Sequence, residues 1–304
     1  MNKLKTNLAG VNLNSPLIAA SGTVGYGKEL AKLVNLEHFG AISTKGTTLM
    51  PRMGNPSPRI AETPAGMLNS IGLENPGIDH FIQNELPWLS KQKTKIIANI
   101  AGSTINEFEN LAEQLNETNV DFLELNISCP NLNENGKNFG SEPTTAFKVI
   151  DKTRKKTTKP LITKLTPNTN SIVEVAKAAE LAGSNAICLI NTILAMRIDI
   201  ETKRPILKNN LGGLSGPAIF PIALRMIWQV FNTVKIPIIG CGGLSCANDV
   251  IEMIMAGATA TQIGTKLISQ PDAVITITNE LNNWLQVHKI ESLHELIGCA
   301  KLWI

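Results

Sequence analysis

Two glycine-rich segments decide the fold: Ile-Pro-Ile-Ile-Gly-Cys-Gly-Gly spans residues 236–243, and Ala-Gly-Ala-Thr-Ala-Thr-Gln-Ile-Gly-Thr spans residues 256–265. Each holds a short apolar run typical of a strand buried on both faces, followed by a glycine turn. The pattern between them is helical, and Gly257 is placed to stop the helix before the second strand begins. Ala182-Gly183 stands before another apolar run in the same way, so a helix–glycine–strand unit recurs.

The alternation of apolar strands and helical patterns continues along the whole chain and predicts a parallel α/β protein. The eight predicted strands span residues 17–20, 41–44, 95–99, 122–126, 161–164, 186–190, 236–240 and 259–263. Capping boxes at Thr104-x-x-Glu107 and Ser171-x-x-Glu174 are predicted to open the helices after the third and fifth strands. Eight such units in 304 residues fit one (β/α)8 TIM barrel domain over residues 1–304. Two inserts, 47–77 and 196–213, are predicted as excursions above its C-terminal face.

Every predicted strand ends in a polar residue, a cationic residue or a glycine turn. The tips are Ser21, Lys45, Asn99, Asn126, Lys164, Asn191, Gly242-Gly243 and Gly264-Thr265. Barrel enzymes place their chemistry at the C-terminal ends of the strands, so this ring of tips predicts a functional site. The last two turns occupy the usual phosphate position of the fold and match neither the dinucleotide fingerprint nor the Walker loop. They predict a bound mononucleotide phosphate.

Cys129 is the candidate catalytic residue, in the segment Asn-Ile-Ser-Cys-Pro-Asn at 126–131 directly after the fourth predicted strand. A thiol can act as base or nucleophile once its proton is displaced, and the flanking amides can donate and accept hydrogen bonds to a planar heterocycle. A buried structural cysteine before a turn proline is the alternative. The ring of polar tips favours the functional interpretation.

Composition excludes several other functions. With 43% hydrophobic and 17% charged residues, the chain is typical of a soluble globular enzyme. Its net charge of +3 is scattered rather than striped, which argues against nucleic-acid binding. No apolar run is long enough for a signal peptide or a membrane span, so we expect a cytoplasmic protein with reduced cysteines. Five cysteines without a Cys-x-x-Cys pair predict neither a zinc site nor an iron–sulfur cluster in this chain.

These residues, taken in order, resemble the class 1 dihydroorotate dehydrogenases, FMN-containing flavoproteins with a (β/α)8 barrel that act in pyrimidine (UMP) biosynthesis. The resemblance covers nearly the whole chain. It is carried by the segments 20–23, 43–48, 69–77, 126–131, 164–168 and 212–217 and by the two phosphate turns. Within class 1, the segment 126–131 followed by Gly-Lys-Asn-Phe-Gly at 136–140 is most similar to the NAD-linked class 1B branch.

The resemblance implies a reaction and a role for each residue of the site. (S)-Dihydroorotate would be oxidised to orotate, with Cys129 removing the C5 proton while a hydride passes from C6 to N5 of FMN. Lys164 would lie at the N1/O2 edge of the flavin, and Lys45 between the flavin and the substrate carboxylate. The implied FMN-binding residues are Ser21, Lys45, Gly46, Asn99, Asn126, Lys164, Ile190, Gly216, Gly242, Gly243, Gly264 and Thr265. The implied substrate-binding residues are Lys45, Asn69, Ser70, Ile71, Gly72, Leu73, Asn126, Asn131, Asn191 and Thr192.

The class 1B branch also implies a partner. This chain has no dinucleotide motif and no cluster cysteines, so electrons would leave through a second subunit that carries FAD and a 2Fe–2S centre. Two catalytic and two partner chains would form a heterotetramer. The loop 132–141, rich in Asn and Gly, is predicted to be a lid over the substrate, with an ordinary connection as the alternative. Glu74 departs from the family pattern, in which a neutral amide is expected.

Four other functions stay open at this point. A class 1A enzyme would be a homodimer that uses fumarate. A dihydropyrimidine dehydrogenase shares the Ser-Cys-Pro turn, but has a histidine where Asn131 stands. Lys164 at a strand end could form the Schiff base of a barrel lyase. A barrel scaffold without catalysis is the remaining alternative. The membrane-linked class 2 enzymes are not expected, since they use serine in place of Cys129.

Overall fold

The computed structural model describes residues 2–128 and 139–303, and its centre is a closed barrel of eight parallel strands. The barrel strands are Leu17–Ala19, Ala41–Ser43, Lys95–Ile100, Phe122–Asn126, Leu161–Lys164, Ala186–Leu189, Ile238–Cys241 and Ala258–Ile263. Strands adjacent in this order pair with one another, and the eighth closes the barrel against the first, with Thr261 beside Leu17. The predicted barrel is confirmed. The predicted strand ends differ from the observed ones by one or two residues at most.

Helices separate most of the strands and cover the outside of the barrel. The α-helices are Ile78–His80, Leu86–Leu89, Ile105–Asn116, Pro143–Arg154, Ile172–Leu181, Phe220–Phe231, Ala247–Met255, Thr265–Ser269 and Ala273–Val287. A π-helical turn spans Phe81–Glu85, and 3-10 turns span Leu30–Lys32, Leu36–His38, Pro217–Ile219 and Leu293–Leu296. In the helix that begins at Ile105, Phe108, Leu111 and Leu115 are fully buried. Their spacing places them on one face, which packs on the barrel.

One of the two predicted capping boxes is confirmed only in part, and the other is wrong. Thr104 caps its helix by accepting from the backbone N–H of Glu107, while the Glu107 carboxylate reaches the N–H of Ser103 rather than that of Thr104. Ser171 precedes its helix but makes no side-chain cap bond. Its hydroxyl lies 3.2 Å from that of Thr169, which also accepts the Ser171 N–H. Local bonding within the turn has replaced the cap.

Glycine is required where two helices end. Gly183 and Gly257 both have positive φ, at 96° and 121°, which is the left-handed conformation that favours glycine at a helix C-terminus. A Cβ on Gly257 would also lie 2.1 Å from Cγ of Phe231. Both predicted helix stops are therefore confirmed, and the chain turns there into the sixth and eighth strands.

The barrel interior changes from apolar to polar along the strands. An antiparallel hairpin of Thr6–Leu8 and Val11–Leu13 packs Leu8 and Leu13 into the apolar interior cluster that also contains Phe122. Alternate residues of a strand point to the same face, so Glu124 and Asn126 follow Phe122 along one line of the fourth strand. The barrel interior is therefore apolar near the start of this strand and polar at its C-terminal end, which we call the mouth.

The two excursions form one antiparallel sheet at that mouth. Its four strands lie in the order Ile193–Ala195, Gly212–Ser215, Gly66–Asn69 and Ile60–Thr63. A separate two-stranded ladder, Ile198–Asp199 with Arg204–Pro205, extends the second excursion. The predicted excursions are confirmed. Strands from both excursions pair within one sheet, so each excursion is held in place by the other. Across residues 2–128 and 139–303, no helix has the length and apolar character needed to cross a membrane.

Candidate active site at the C-terminal end of the barrel

Closure of a parallel barrel brings the predicted tips to one end. Lys164 and Asn126 are the last residues of the fifth and fourth strands, and Asn99 is the residue before the last of the third. Ser21, Lys45, Asn191, Gly242-Gly243 and Gly264-Thr265 follow the ends of the first, second, sixth, seventh and eighth strands. The ring of tips is confirmed as a spatial arrangement. Cys129, Asn131 and the loop 132–138 lie outside the described residues.

A buried hydrogen-bond network forms the floor of the site. The carboxylate of Glu124, which is fully buried, accepts from Oγ of Ser43 at 2.9 Å, Nδ2 of Asn99 at 2.6 Å and Nε2 of Gln262 at 2.6 Å. Nζ of Lys164, only 5% exposed, donates to Oε1 of Gln262 at 2.8 Å. Two predicted residues, Asn99 and Lys164, are thus joined through residues that the sequence analysis did not select.

The sequence contained a signal for these missed residues, namely their positions in the strands. Glu124 and Gln262 lie within otherwise apolar buried strands, and Ser43 ends the second strand. A buried carboxylate is costly unless it is hydrogen-bonded or paired. A charged residue in the middle of a strand buried on both faces therefore indicates a polar interior partner, although its identity depends on the closure of the barrel.

The charge on Lys164 is favoured by this floor. Burial disfavours the charged form of Lys164, but Cys241 and Glu124 outweigh it, so the pKa of Lys164 is raised above that of an ordinary lysine. The neighbours of Cys241 also shift the pKa of its thiol. Its contact with the Cys188 thiol, together with the charge of Lys164, outweighs burial and lowers the pKa of Cys241 to about 7.

A second cluster lies at the ends of the fourth and sixth strands. Oδ1 of Asn126 accepts from Oγ of Ser128 at 2.6 Å and from Nδ2 of Asn191 at 3.3 Å, and Asn191 also contacts Oγ of Ser128. Oδ1 of Asn191 accepts the backbone N–H of Thr192 at 2.8 Å. Three predicted substrate residues therefore meet, with Ser128 as a further member that sequence reasoning missed.

Lys45 stands at the mouth as a half-buried cation. Within the described part of the chain, its Nζ has neither a hydrogen-bond acceptor nor an ion-pair partner. Burial lowers its pKa from the ordinary lysine value, with the charge of Glu74 opposing and that of Arg59 adding to the effect. A cation held in this way is suited to receive an anionic group of a ligand.

The excursion sheet brings the predicted substrate segment over the barrel. Nδ2 of Asn69 reaches the carbonyl of Gly213 at 3.4 Å, on the neighbouring strand of the sheet. Nδ2 of Asn55 donates to Oγ of Ser70 at 2.9 Å, and the N–H of Asn55 to the carbonyl of Ile71 at 2.9 Å. These bonds fix the segment that continues to Gly72 and Leu73.

Gly46 is the point at which this segment meets the barrel. A Cβ on Gly46 would lie 3.0 Å from Oδ1 of Asn99 and 3.4 Å from Cδ2 of Leu73. The turn at Lys45-Gly46, the barrel residue Asn99 and the excursion segment are therefore in contact. Gly72 itself needs to be glycine, since it has φ of 77° and a Cβ would lie 2.6 Å from Asn55.

Glu74, the departure from the family pattern, has a structural explanation. Its carboxylate forms an ion pair with Arg59, and Nη1 of Arg59 also donates to the carbonyl of Asn55 at 3.4 Å. The Glu74 side chain is 49% exposed, so this pair lies at the surface of the excursion. The unexpected charge is thus compensated within the excursion and does not lie in the barrel interior.

The turns after the seventh and eighth strands differ in the space they leave where a phosphate is predicted. Gly242 and Gly243 have φ of 126° and 82°, and their Cβ positions are tightly packed: a Cβ on Gly242 would lie 2.9 Å from Ala223 and 3.2 Å from Ile190, and one on Gly243 would lie 2.7 Å from Phe220. A Cβ on Gly264 would meet nothing closer than 3.6 Å. Oγ1 of Thr265 donates to Oγ of Ser215 at 2.8 Å, which places the residue before Gly216 beside the turn.

Among the described residues, the two following helices differ in whether a side chain binds their N-terminal N–H groups. Before the helix Ala247–Met255, the Asp249 carboxylate accepts the N–H groups of Ser245 and Cys246 at 2.7 and 3.1 Å. That helix N-terminus is already occupied by a carboxylate of the chain. The helix Thr265–Ser269 begins directly after Gly264, with no side-chain cap bond. Of these two helix N-termini, only that of Thr265–Ser269 carries no bond from a side chain of the described chain.

Comparison with known proteins identifies what the chain is similar to. A family model described as dihydroorotate dehydrogenase matches residues 3–285. The chain is 50% identical over 296 residues to a protein of Geotalea uraniireducens named dihydroorotate dehydrogenase B (NAD(+)), catalytic subunit, with 97% of each chain covered. Proteins with the same name from Caldicellulosiruptor bescii and Alkaliphilus oremlandii are 49% and 47% identical, over 98% and 96% of this chain and 99% and 97% of theirs.

Proposed function

The chain belongs to the dihydroorotate dehydrogenase family, and from this premise we propose that it is the catalytic subunit of an NAD-linked, class 1B dihydroorotate dehydrogenase. It would oxidise (S)-dihydroorotate to orotate in pyrimidine biosynthesis. The observation that carries the proposal is 50% identity to such a subunit over 97% of both chains. The ring of polar tips, which the barrel brings to one mouth, supports it from the geometry.

The residues present fit FMN as the cofactor of this chain. Among the described residues, Oδ1 of Asn99 is buried without a hydrogen-bond partner, and it lies beside the turn at Lys45-Gly46. The turn at Gly264 leaves room for phosphate oxygens close to the backbone. An unpartnered acceptor, a buried lysine and a phosphate position in one mouth are what a flavin mononucleotide requires.

The roles that we propose for the cofactor-binding residues come from the family resemblance. Lys164 would hold the pyrimidine edge of the flavin, where a positive charge favours electron uptake. Asn99, with Ser21 and Asn126 in neighbouring tips, would bind the ring edge. Ile190 would pack beneath it, next to Gly242. Gly216, Gly243, Gly264 and Thr265 would hold the phosphate. FMN, when bound, supplies the hydride acceptor of the reaction.

The substrate would be held between the barrel mouth and the excursion. Lys45 would bind its carboxylate, because this half-buried cation has no partner in the described chain. Asn126 and Asn191 would bind the pyrimidine amides together with Asn69 and Thr192, and the segment Ser70 to Leu73 would cover it. Cys129 would remove the C5 proton and Asn131 would hold the ring, a role we propose from the sequence alone. The loop 132–141 would close over them.

The electron acceptor and the assembly are further parts of the proposal. The name of the similar proteins, catalytic subunit, implies a second subunit. We propose that this partner carries FAD and a 2Fe–2S centre, passes electrons to NAD+, and forms a heterotetramer of two catalytic and two partner chains. The whole chain, 1–304, would be one FMN-binding domain. A cytoplasmic location is consistent with the adjacent buried thiols Cys188 and Cys241, which are both free.

Anaerobic absorption spectroscopy tests the proposal. The purified protein should be yellow, and dihydroorotate added without oxygen should bleach the flavin bands. Cys129→Ala should slow bleaching sharply while leaving the FMN content unchanged, and the surface variant Cys299→Ala should behave as the unmodified protein, since Cys299 is exposed. Absence of flavin bleaching would contradict the proposal. Turnover of dihydroorotate by the isolated chain with fumarate as the electron acceptor would instead identify a class 1A enzyme.

A further inference from the structure

Glu124 has no role in the function proposed above, yet it lies at the centre of the site. It is a fully buried carboxylate inside the barrel, and its three donors come from three other strands: Ser43, Asn99 and Gln262. In the described part of the chain, no cationic group lies within ion-pair distance of it. Burying a carboxylate costs free energy, so a carboxylate at this position indicates a function that offsets the cost.

The network fixes the orientation of two side-chain amides. A carboxylate only accepts hydrogen bonds, and an ammonium group only donates them. Gln262 lies between the two, so its Nε2 must face Glu124 and its Oε1 must face Lys164. For the same reason Asn99 must turn Nδ2 to Glu124, which leaves its Oδ1 free. With a neutral residue at position 124, the amide of Asn99 could reverse, and Lys164 alone would hold the orientation of Gln262.

We propose that Glu124 is a positioning residue: it orients Gln262 and Asn99 and compensates the charge of Lys164, so that the barrel presents one fixed cation and one free acceptor to its ligand. Where it concerns the flavin, the inference rests on the proposed function. Glu124 would act through Lys164 and Asn99 and would not itself touch the cofactor.

Charge compensation has a measurable consequence for Lys164. The titratable groups that face it are Cys241, Glu124 and Cys188, and they outweigh burial to raise its pKa. Glu124→Gln removes one of these three groups, so the pKa of Lys164 should fall from its raised value. In the unmodified protein Lys164 stays charged up to high pH. In the variant its charge should be lost at a lower pH than in the unmodified protein.

A double-mutant cycle on the full chain without added FMN tests the pairing independently of the cofactor. Glu124→Gln leaves a buried lysine with less compensating charge, Lys164→Met leaves a buried carboxylate without its cation, and the double variant leaves neither. The two effects on the urea unfolding equilibrium should be coupled by about tenfold or more. Independent effects that simply multiply would overturn the proposal.

A second cycle covers the case in which Glu124→Gln does not fold. Gln262 Oε1 is the acceptor of Lys164 Nζ, so Gln262→Met leaves the ammonium without it. Gln262→Met and Lys164→Met should then be coupled in the same way, because the double variant has no buried cation. Lack of coupling here would also overturn the proposal.

The equilibrium constant for FMN reduction against a reference dye tests the effect on the site. As the pH is raised above 7, reduction in Glu124→Gln should become progressively weaker than in the unmodified protein, by about tenfold, or about 30 mV for a two-electron couple. Glu252→Gln, at an exposed position of the helix Ala247–Met255, is the matched control and should show no difference.

The outcomes separate the inference from the proposed function. The same pH dependence in Glu124→Gln and the unmodified protein, or a uniform rise in the reduction constant, would overturn the positioning role. In Glu124→Gln/Lys164→Met the additional pH dependence should vanish, because no lysine remains to titrate. If the unmodified protein and Glu252→Gln bind no FMN, the proposed function fails, and the two unfolding cycles still decide whether Glu124 supports Lys164.

Discussion

Asn99 donates to Glu124 through Nδ2 at 2.6 Å, and the same amide therefore keeps Oδ1 without a donor inside the described chain. An acceptor that is buried and unsatisfied costs about 1–3 kcal/mol, so the protein gains when a ligand supplies the missing N–H. This relationship links the stability of the empty protein to its affinity for FMN.

Asn99→Ala should weaken FMN binding by about tenfold or less, the effect of one neutral hydrogen bond of about 0.5–1.5 kcal/mol. Quenching of FMN fluorescence on titration into the protein measures the affinity. Asn283→Ala, on the exposed side of the helix Ala273–Val287, should bind FMN as the unmodified protein does. Equal affinities for both variants would remove Asn99 from the cofactor site.

Lys45→Met should weaken orotate binding at least about tenfold, because a charge-assisted contact contributes about 1.5–3 kcal/mol. Orotate affinity can be measured by calorimetry on the FMN-loaded protein. Lys93→Met, which changes an exposed lysine paired with Glu37, is the matched control and should leave the affinity unchanged. Unaltered orotate binding by Lys45→Met would exclude Lys45 as the carboxylate partner.

The stability of Lys45→Met should depend on pH in a defined direction. Burial lowers the pKa of Lys45 in the folded chain, so the folded protein binds its proton less tightly than the unfolded chain does. The unmodified protein should therefore gain stability as the pH rises from the lowered pKa toward the ordinary lysine value. In urea unfolding, the free energy of unfolding of Lys45→Met should exceed that of the unmodified protein by the largest amount at neutral pH. This difference should become smaller as the pH rises over that range. A constant difference would contradict the lowered pKa.

Two glycine variants should distinguish an effect on folding from an effect on phosphate binding. Gly264→Ala places a Cβ no closer than 3.6 Å to the protein and has no positive φ, so we expect little change in melting temperature but FMN binding weakened about tenfold. Gly243→Ala places a Cβ 2.7 Å from the backbone N of Phe220, at φ of 82°. It should destabilise folding itself by about 1–3 kcal/mol. Unchanged FMN affinity in Gly264→Ala would move the phosphate away from this turn.

Glu74→Gln should have little effect on folding. Its ion pair with Arg59 is half-exposed, and such pairs contribute between about 0 and 1 kcal/mol. Urea unfolding should therefore give a free energy of unfolding within that range of the unmodified protein. Arg59→Gln should cost more than Glu74→Gln, because Arg59 also donates to the carbonyl of Asn55. A large loss of stability in Glu74→Gln would show that this departure from the family is structural.

The barrel and the ring of tips could be predicted from local sequence patterns. Strands buried on both faces need continuous apolar runs, and the glycines at 183 and 257 mark where helices return to the barrel, so both features are local. Parallel closure then brings all strand ends to one side, whichever side chains they carry. The resemblance that includes Cys129 was likewise contained in contiguous motifs. Local signals failed at Ser171, where the hydroxyl of Thr169 takes the place of the expected cap.

The hydrogen-bond partners within the site could not be predicted from local sequence patterns. Ser43 and Glu124 are separated by 81 positions and Gln262 and Glu124 by 138, and no local pattern pairs them. The excursions likewise form a sheet only because Gly213 comes to lie beside Asn69. Hydrogen bonds act over about 3 Å in space and are indifferent to separation along the chain. The residues of the mouth can therefore be predicted from the sequence. The orientation of their amides and the charge on Lys164 arise from the closure of the barrel.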